Sequence, residues 1–289
     1  MAIPCRSRTA IAAGLSLLVA GVLPSPATKV EAAGGRGMVR IPAGSYAPLY
    51  SLPTTTAAPA VPAGPRPSSA RPRVAVGAFL MDVHPTTNAE FLEFVRANPA
   101  WRRSRVEPLF ADAAYLVHWR GDLELGDRAP AAGPVVYVSW FAARAYLAWR
   151  GKRLPTVDEW EYVAAASETA RDASGDAAFL ARVRQSYGRP SSLPLPPVAG
   201  SIPNAYGVGG MHDLVREWVE DFNSALVTGE SRADGSLDRS LFCGSGSIGA
   251  ADFRDYAAFM RFAFRASLDA RYGLAHLGFR GAMSERGGR

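Results

Sequence analysis

Cysteine is scarce in this 289-residue chain, which contains only Cys5 and Cys243. Cys5 lies in a stretch that reads as a cleavable leader, so one thiol is left and an internal disulfide is excluded even in an oxidising compartment. A lone thiol in an exported chain is either a small buried hydrophobe or a group put to use. Both readings stand for Cys243. Long apolar runs are also scarce: after Leu23 none approaches the roughly 20 residues of a spanning helix, so no membrane anchor is expected once the leader is removed. A glycine-rich phosphate loop, a nucleophile elbow and a serine–histidine–acid order are missing, which removes the common nucleotide-binding and hydrolase readings. The 32 basic and 26 acidic residues are interspersed, with no basic stripe interleaved with aromatics. Nucleic acid is therefore not an expected partner.

What is present begins with Arg6 and Arg8, an apolar run over residues 9–23, then Pro24, Pro26 and small residues ending at Ala32. Basic, then apolar, then small is the order of a secretory leader. The sequence thus predicts a signal peptide over residues 1–32 and a domain over 33–289, periplasmic or secreted and monomeric. Within it, residues 38–46 read as a strand running into a turn, and 74–82 as a strand-like run. Between them, residues 51–73 are rich in Pro, Ala, Thr and Ser. That composition cannot offset its ordering entropy and predicts a mobile loop. Residues 284–289 read as a frayed end.

Three helices are signposted by their caps. Thr87 and Glu90 stand at capping-box spacing ahead of Phe91, Phe94 and Val95, and Asn98-Pro99 should end that helix. Ser139 can cap a second helix over residues 140–150, which Gly151 can terminate. Thr156 and Glu159 repeat the capping box, with Trp160, Val163 and Ala164 at core spacing. A fourth helix is expected over residues 176–187. Around residues 256–264 the pattern is divided: Tyr256, Phe259, Met260 and Ala263 fit a helix, whereas Phe262 and Phe264 alternate like a strand.

Taken in order, seven segments resemble the sulfatase-modifying-factor family, the formylglycine-generating enzymes and their relatives. They open with Met38-Val39-Arg40-Ile41-Pro42-Ala43-Gly44-Ser45, Met81-Asp82-Val83-His84-Pro85-Thr86-Thr87-Asn88 and Pro134-Val135-Val136-Tyr137-Val138-Ser139-Trp140. They continue with Gly151-Lys152-Arg153-Leu154-Pro155-Thr156-Val157-Asp158-Glu159-Trp160, Pro203-Asn204-Ala205-Tyr206-Gly207 and Glu217-Trp218-Val219-Glu220-Asp221. Leu277-Gly278-Phe279-Arg280 closes the set. A finer resemblance, carried by Tyr115-Leu116-Val117-His118-Trp119 and Phe242-Cys243-Gly244-Ser245-Gly246-Ser247 among others, is to the NirV-like branch associated with copper nitrite reductases. The resemblance implies an α+β, C-type-lectin-like single domain with little regular secondary structure.

It also implies what chemistry to look for. Formylglycine-generating enzymes hold Cu(I) between two thiolates, soft ligands that suit it, and use oxygen to convert a substrate cysteine into formylglycine. Alignment on Arg265 and Gly278-Phe279-Arg280 puts the second thiolate at Ala257 and the first between Cys243 and Asp252. Gly273 and Gly281 stand where relatives often carry cysteine. Copper in the two-cysteine form, and formylglycine generation with it, are therefore not expected. The family's calcium stretch corresponds to residues 210–218, where Glu217 and the carbonyls of Asp213 and Val215, with the Asp213 carboxylate as a substitute, would be the ligands. The alternative for Glu217 is an ion pair with an arginine. Arg265 and Arg280 are expected to be structural, pairing with Glu217 or Asp221. Trp218, Ser245 and Ser247 fall near the family's substrate groove, although Trp218 equally suits the core. His84, His118, His212 and His276 lie far apart and read as packing or surface residues, with His84 at a cap.

Two functions follow from different classes. One is an exported accessory protein that docks a periplasmic peptide or protein partner, in a copper or nitrite-reduction system. The other is a divergent metal- or oxygen-dependent oxidoreductase that uses Cys243.

Overall fold

In the computed structural model, the residues described are 37–48, 73–188, 192–223 and 256–285. In chain order they form β1 (Met38–Ile41), β2 (Gly44–Tyr46), β3 (Val74–Val76), β4 (Phe79–Asp82), α1 (Asn88–Ala97), α2 (Trp140–Trp149), α3 (Val157–Ala164) and α4 (Ala177–Tyr187). After these come β5 (Arg216–Glu217), α5 (Tyr256–Ala266), β6 (Leu277–Gly278) and β7 (Ala282–Ser284). Helix and sheet are mixed, and long loops carry much of the chain.

Strand β4 is the centre of a three-stranded antiparallel sheet, with β1 on one side and β7 on the other. Successive side chains of a strand face opposite ways, so Phe79 and Met81 enter the core while Leu80 and Asp82 do not. Strands β2 and β3 make a separate antiparallel pair, and β5 and β6 a short parallel one. The predicted run over 74–82 is thus two strands, broken at Gly77 and Ala78. Two terminal expectations need correction. Ser284 belongs to β7 and pairs with Phe79, and Glu285 holds Arg40 at 2.6 Å, so the frayed end does not include them. Arg73, assigned to the mobile loop, donates to Ser45 Oγ at 3.0 Å. Residues 51–72 lie outside the described residues.

The caps form as their spacing requires. Thr87 Oγ1 accepts from Glu90 N at 3.2 Å and Glu90 Oε2 accepts from Thr87 N at 2.8 Å, and the same exchange joins Thr156 and Glu159. Ser139 Oγ accepts from Ala142 N, and α2 ends before Gly151, whose φ of +69° suits a residue without Cβ. Asp176 caps α4. The divided segment is the helix α5, and Phe262 turns into the core from it. Helices α1, α2 and α3 place Phe91, Phe94, Tyr146, Leu147, Trp160 and Val163 in one cluster with Phe79, Met81 and Phe279. Full burial of one such side chain contributes about 1.5–3 kcal/mol. Among the described residues no helix is long and apolar enough to cross a membrane.

Candidate functional site

The parallel pairing of β5 with β6 sets Glu217 opposite Gly278, two residues before Arg280. A Cβ at Gly278 would lie 2.6 Å from the Val135 carbonyl oxygen, so only glycine lets these backbones approach. Arg280 then reaches Glu217 with Nε to Oε2 at 2.8 Å and Nη2 to Oε1 at 2.7 Å. Its remaining donors go to the carbonyls of Gly209, Asp82 and Val83, and Trp160 Nε1 donates to Glu217 Oε2 at 2.8 Å. Buried charge is tolerated when it is paired and its donors are satisfied. Here both conditions hold.

A second ion cluster fixes α5 against α3. Glu161 Oε1 accepts from Arg265 Nη1 at 2.6 Å, and Oε2 accepts from Arg261 Nη2 at 2.7 Å. The Arg265 guanidinium lies over the Trp160 ring, 4.7 Å from its centroid. Burial pushes the Glu161 carboxyl up, but Arg261 and Arg265 outweigh it and hold it at about 2. Helix α5 is thereby anchored at two turns, and Ala257 lies in its first turn.

That helix decides the copper question on donor chemistry. The position that the resemblance assigns to the second thiolate is Ala257, and Cys243 is the one thiol besides Cys5. The residues present do not fit Cu(I) held between two thiolates. Cys243, Ser245 and Ser247 lie outside the described residues, as does Asp252. At Gly281, where a relative can carry cysteine, a Cβ would lie 2.6 Å from Asp82 Oδ2 and 2.8 Å from Leu147, so those side chains would have to move.

The remaining expectations sort by burial. Trp218 is 0% exposed and donates Nε1 to the Val138 carbonyl at 2.9 Å, so it is core and presents no face to a substrate. It backs a wall instead: Phe222 packs edge-on against it at 5.1 Å and lines an open cavity of about 380 Å³ with Leu109, Phe141 and Arg271. Of the calcium set, Asp213 is exposed, Val215 is buried, and the Glu217 carboxylate is already neutralised by Arg280. The calcium reading of Glu217 therefore gives way to its arginine alternative, because a divalent cation there would face a guanidinium. Among the described residues no three His, Cys, Asp or Glu side chains group around a common point. Arg265 pairs with Glu161, and neither with Glu217 nor with Asp221, which instead accepts from Val157 N at the start of α3.

The histidines are packing residues of different kinds. His212 Nε2 meets the Ala164 carbonyl at 2.8 Å and His118 Nε2 meets Asn88 Oδ1 at 3.3 Å. Burial, helped by nearby arginines, lowers both to about 4. His84 Nδ1 is buried without a partner beside Gly209. The Glu161 cluster escaped sequence reasoning, although a signal existed. Glu161 follows Val157 by four residues on the inward face of α3, and an acid on a core stripe requires a buried cation.

A family model for the sulfatase-modifying factor enzyme 1-like domain matches residues 25–285. The formylglycine-generating enzyme of Streptomyces coelicolor is 30% identical over 251 residues, which cover 72% of this chain and 75% of that one. The inactive C-alpha-formylglycine-generating enzyme 2 of Bos taurus is 38% identical over 117 residues, 32% of this chain and 39% of that protein. Serine/threonine-protein kinase pkn1 of Chlamydia caviae is 30% identical over 145 residues, and the match spans 23% of its length. The chain thus spans well under half of the last two relatives. The solved structure of PvdO from Pseudomonas aeruginosa aligns over 86% of this chain and 94% of its own, at 19% identity and a TM-score of 0.41.

Proposed function

The chain belongs to the sulfatase-modifying factor enzyme 1-like family, and within it we propose an exported accessory protein that has kept the scaffold and given up formylglycine generation. The observation that carries the reading is Ala257, an alanine where the family resemblance requires the second copper thiolate. A relative that bears the name of an inactive formylglycine-generating enzyme gives a noncatalytic member a precedent. The scaffold is read as C-type-lectin-like, and the chain as a NirV-like member serving a periplasmic copper or nitrite-reduction system. Its docking face is the open cavity beside Phe222, where Leu109 and Phe141 offer apolar surface and Asp269 and Arg271 charge to a peptide or protein partner.

The test is to express residues 33–289, incubate them with Cu(I), oxygen and a cysteine-containing substrate peptide, and measure bound copper and peptide aldehyde. No aldehyde and no stoichiometric copper are expected. Stoichiometric copper that disappears in Cys243→Ser would replace this reading with the oxidoreductase one, in which Cys243 acts with a metal or oxygen.

A further inference from the structure

Arg216, half-buried, is partnered differently from Arg261, Arg265 and Arg280. Arg265 and Arg261 share the Glu161 carboxylate and Arg280 has Glu217. The Arg216 guanidinium instead lies over two rings, 4.9 Å from the centroid of Tyr187 and 4.6 Å from that of Phe264, and its buried Nη1 meets no hydrogen-bond acceptor among the described residues. Its place is fixed from below, since Arg216 N donates to the His276 carbonyl in the β5–β6 pairing. Burial lowers its pKa and Arg261 adds to the effect, and no carboxylate figures among the charges that act on it. A cation taken out of water without a counterion is costly, and a group that supplies one gains what the fold has left unmade.

Arg216 also lines a cavity of about 310 Å³, together with Tyr187, Pro194, Leu195, Leu214 and His276. Apolar side chains make about half of the lining, and Ser186, Ser192, Asp213 and the two histidines much of the rest, around one fixed positive charge. His212 does not compete, because its Nε2 is turned to Ala164 and its Nδ1 to the Tyr187 hydroxyl at 3.4 Å. Asp213, an acid of the lining, is exposed at the rim. His276 is held neutral by burial and by Arg216, so it can donate a hydrogen bond without adding charge.

We propose that this cavity is a binding site for a carboxylate carried on a small apolar body, with Arg216 as its charge partner and His276 beside it. A guanidinium stacked on aromatic rings keeps its in-plane edge for a planar carboxylate, the geometry of bidentate recognition. One fixed cation with an acid, Asp213, at the rim favours a monoanion over phosphate. The size lies at the lower end of small-molecule pockets and suits a group no larger than a blocked amino acid. The source is either a free small acid or the C-terminus of a peptide.

The experiment titrates the full chain by calorimetry with benzoate, N-acetylphenylalanine, its amide and inorganic phosphate, and follows the Nε–H resonance of Arg216 by NMR. At least one of the two acids should saturate a single site and move that resonance, with the amide binding at least about tenfold more weakly. Arg216→Met should lose the binding, and Arg216→Lys should retain part of it, each variant being checked for an intact melt. Benzoate binding as tightly as N-acetylphenylalanine identifies a free acid, and a preference for the latter identifies a chain end. Equal binding of acid and amide, an unmoved Arg216 signal at saturation, tighter binding of phosphate, or no binding of either acid at millimolar concentration overturns the proposal. The wild-type NMR arm decides even if Arg216→Met fails to fold.

Discussion

Arg280 and Glu217 face each other through two parallel hydrogen bonds, at 2.8 and 2.7 Å, with both side chains 0% exposed. They join β5 to the chain after β6, and Trp160 adds α3 to the same carboxylate. Removing one member of such a pair strands the other charge out of water, at a cost of roughly 3–5 kcal/mol. Glu217→Ala or Arg280→Met should therefore lower the unfolding free energy by about that much, measured by urea denaturation. Apolar replacement of both should recover a large part of the loss. Single variants as stable as the parent protein would show that the pair contributes nothing.

Glu161 gives the protein an acid limb. Its carboxyl is held at about 2 in the fold against an ordinary 4.5, since Arg261 and Arg265 outweigh the burial that would raise it. The folded value is depressed, so the stabilisation is complete above pH 4.5 and is lost as pH falls towards 2. Melting temperature measured from pH 6 to 2 should drop through that window. In Glu161→Gln the drop should be shallower, starting from a less stable protein.

His118 and His212 act earlier in an acid titration. Burial, reinforced by neighbouring arginines, lowers each from 6.5 to about 4, so the folded protein keeps them neutral where the unfolded chain would protonate them. Their contribution is complete above pH 6.5 and declines as pH falls from there towards 4. NMR titration should find both rings uncharged at pH 5.5. A midpoint near 6.5 for either would contradict the burial described.

Gly278 should not tolerate even a methyl group. Its added Cβ would meet the Val135 carbonyl oxygen at 2.6 Å, a backbone atom that cannot rotate away. Gly278→Ala is expected to cost roughly 1–3 kcal/mol, as overpacking does. Gly77→Ala, where nothing lies within 4 Å of the new atom, is the control and should melt close to the parent protein.

Much of this fold was legible in the sequence because its helices advertise their ends. Thr87, Ser139 and Thr156 satisfy backbone donors within three residues of themselves, an interaction that needs no distant partner. Helix α5 was not legible in the same way. Phe262 and Phe264 alternate in the sequence, yet Arg261 and Arg265 secure a helix by reaching Glu161 about a hundred residues away. The end of the chain was misjudged for a similar reason: Ser284 is ordered by Phe79, which lies far from it in sequence.

The candidate site divides along the same line. Residue identity alone settles that the chain has two thiols, Cys5 and Cys243, and an alanine at position 257, because the absence of a sulfur atom needs no coordinates to establish. Whether Trp218 faces a groove or the core, whether Glu217 takes a cation or Arg280, and that Arg216 meets no carboxylate among the described residues were matters for the folded chain. Each depends on which groups are brought together from distant positions and shielded from water, and burial is a property of the assembled neighbours, not of the residue.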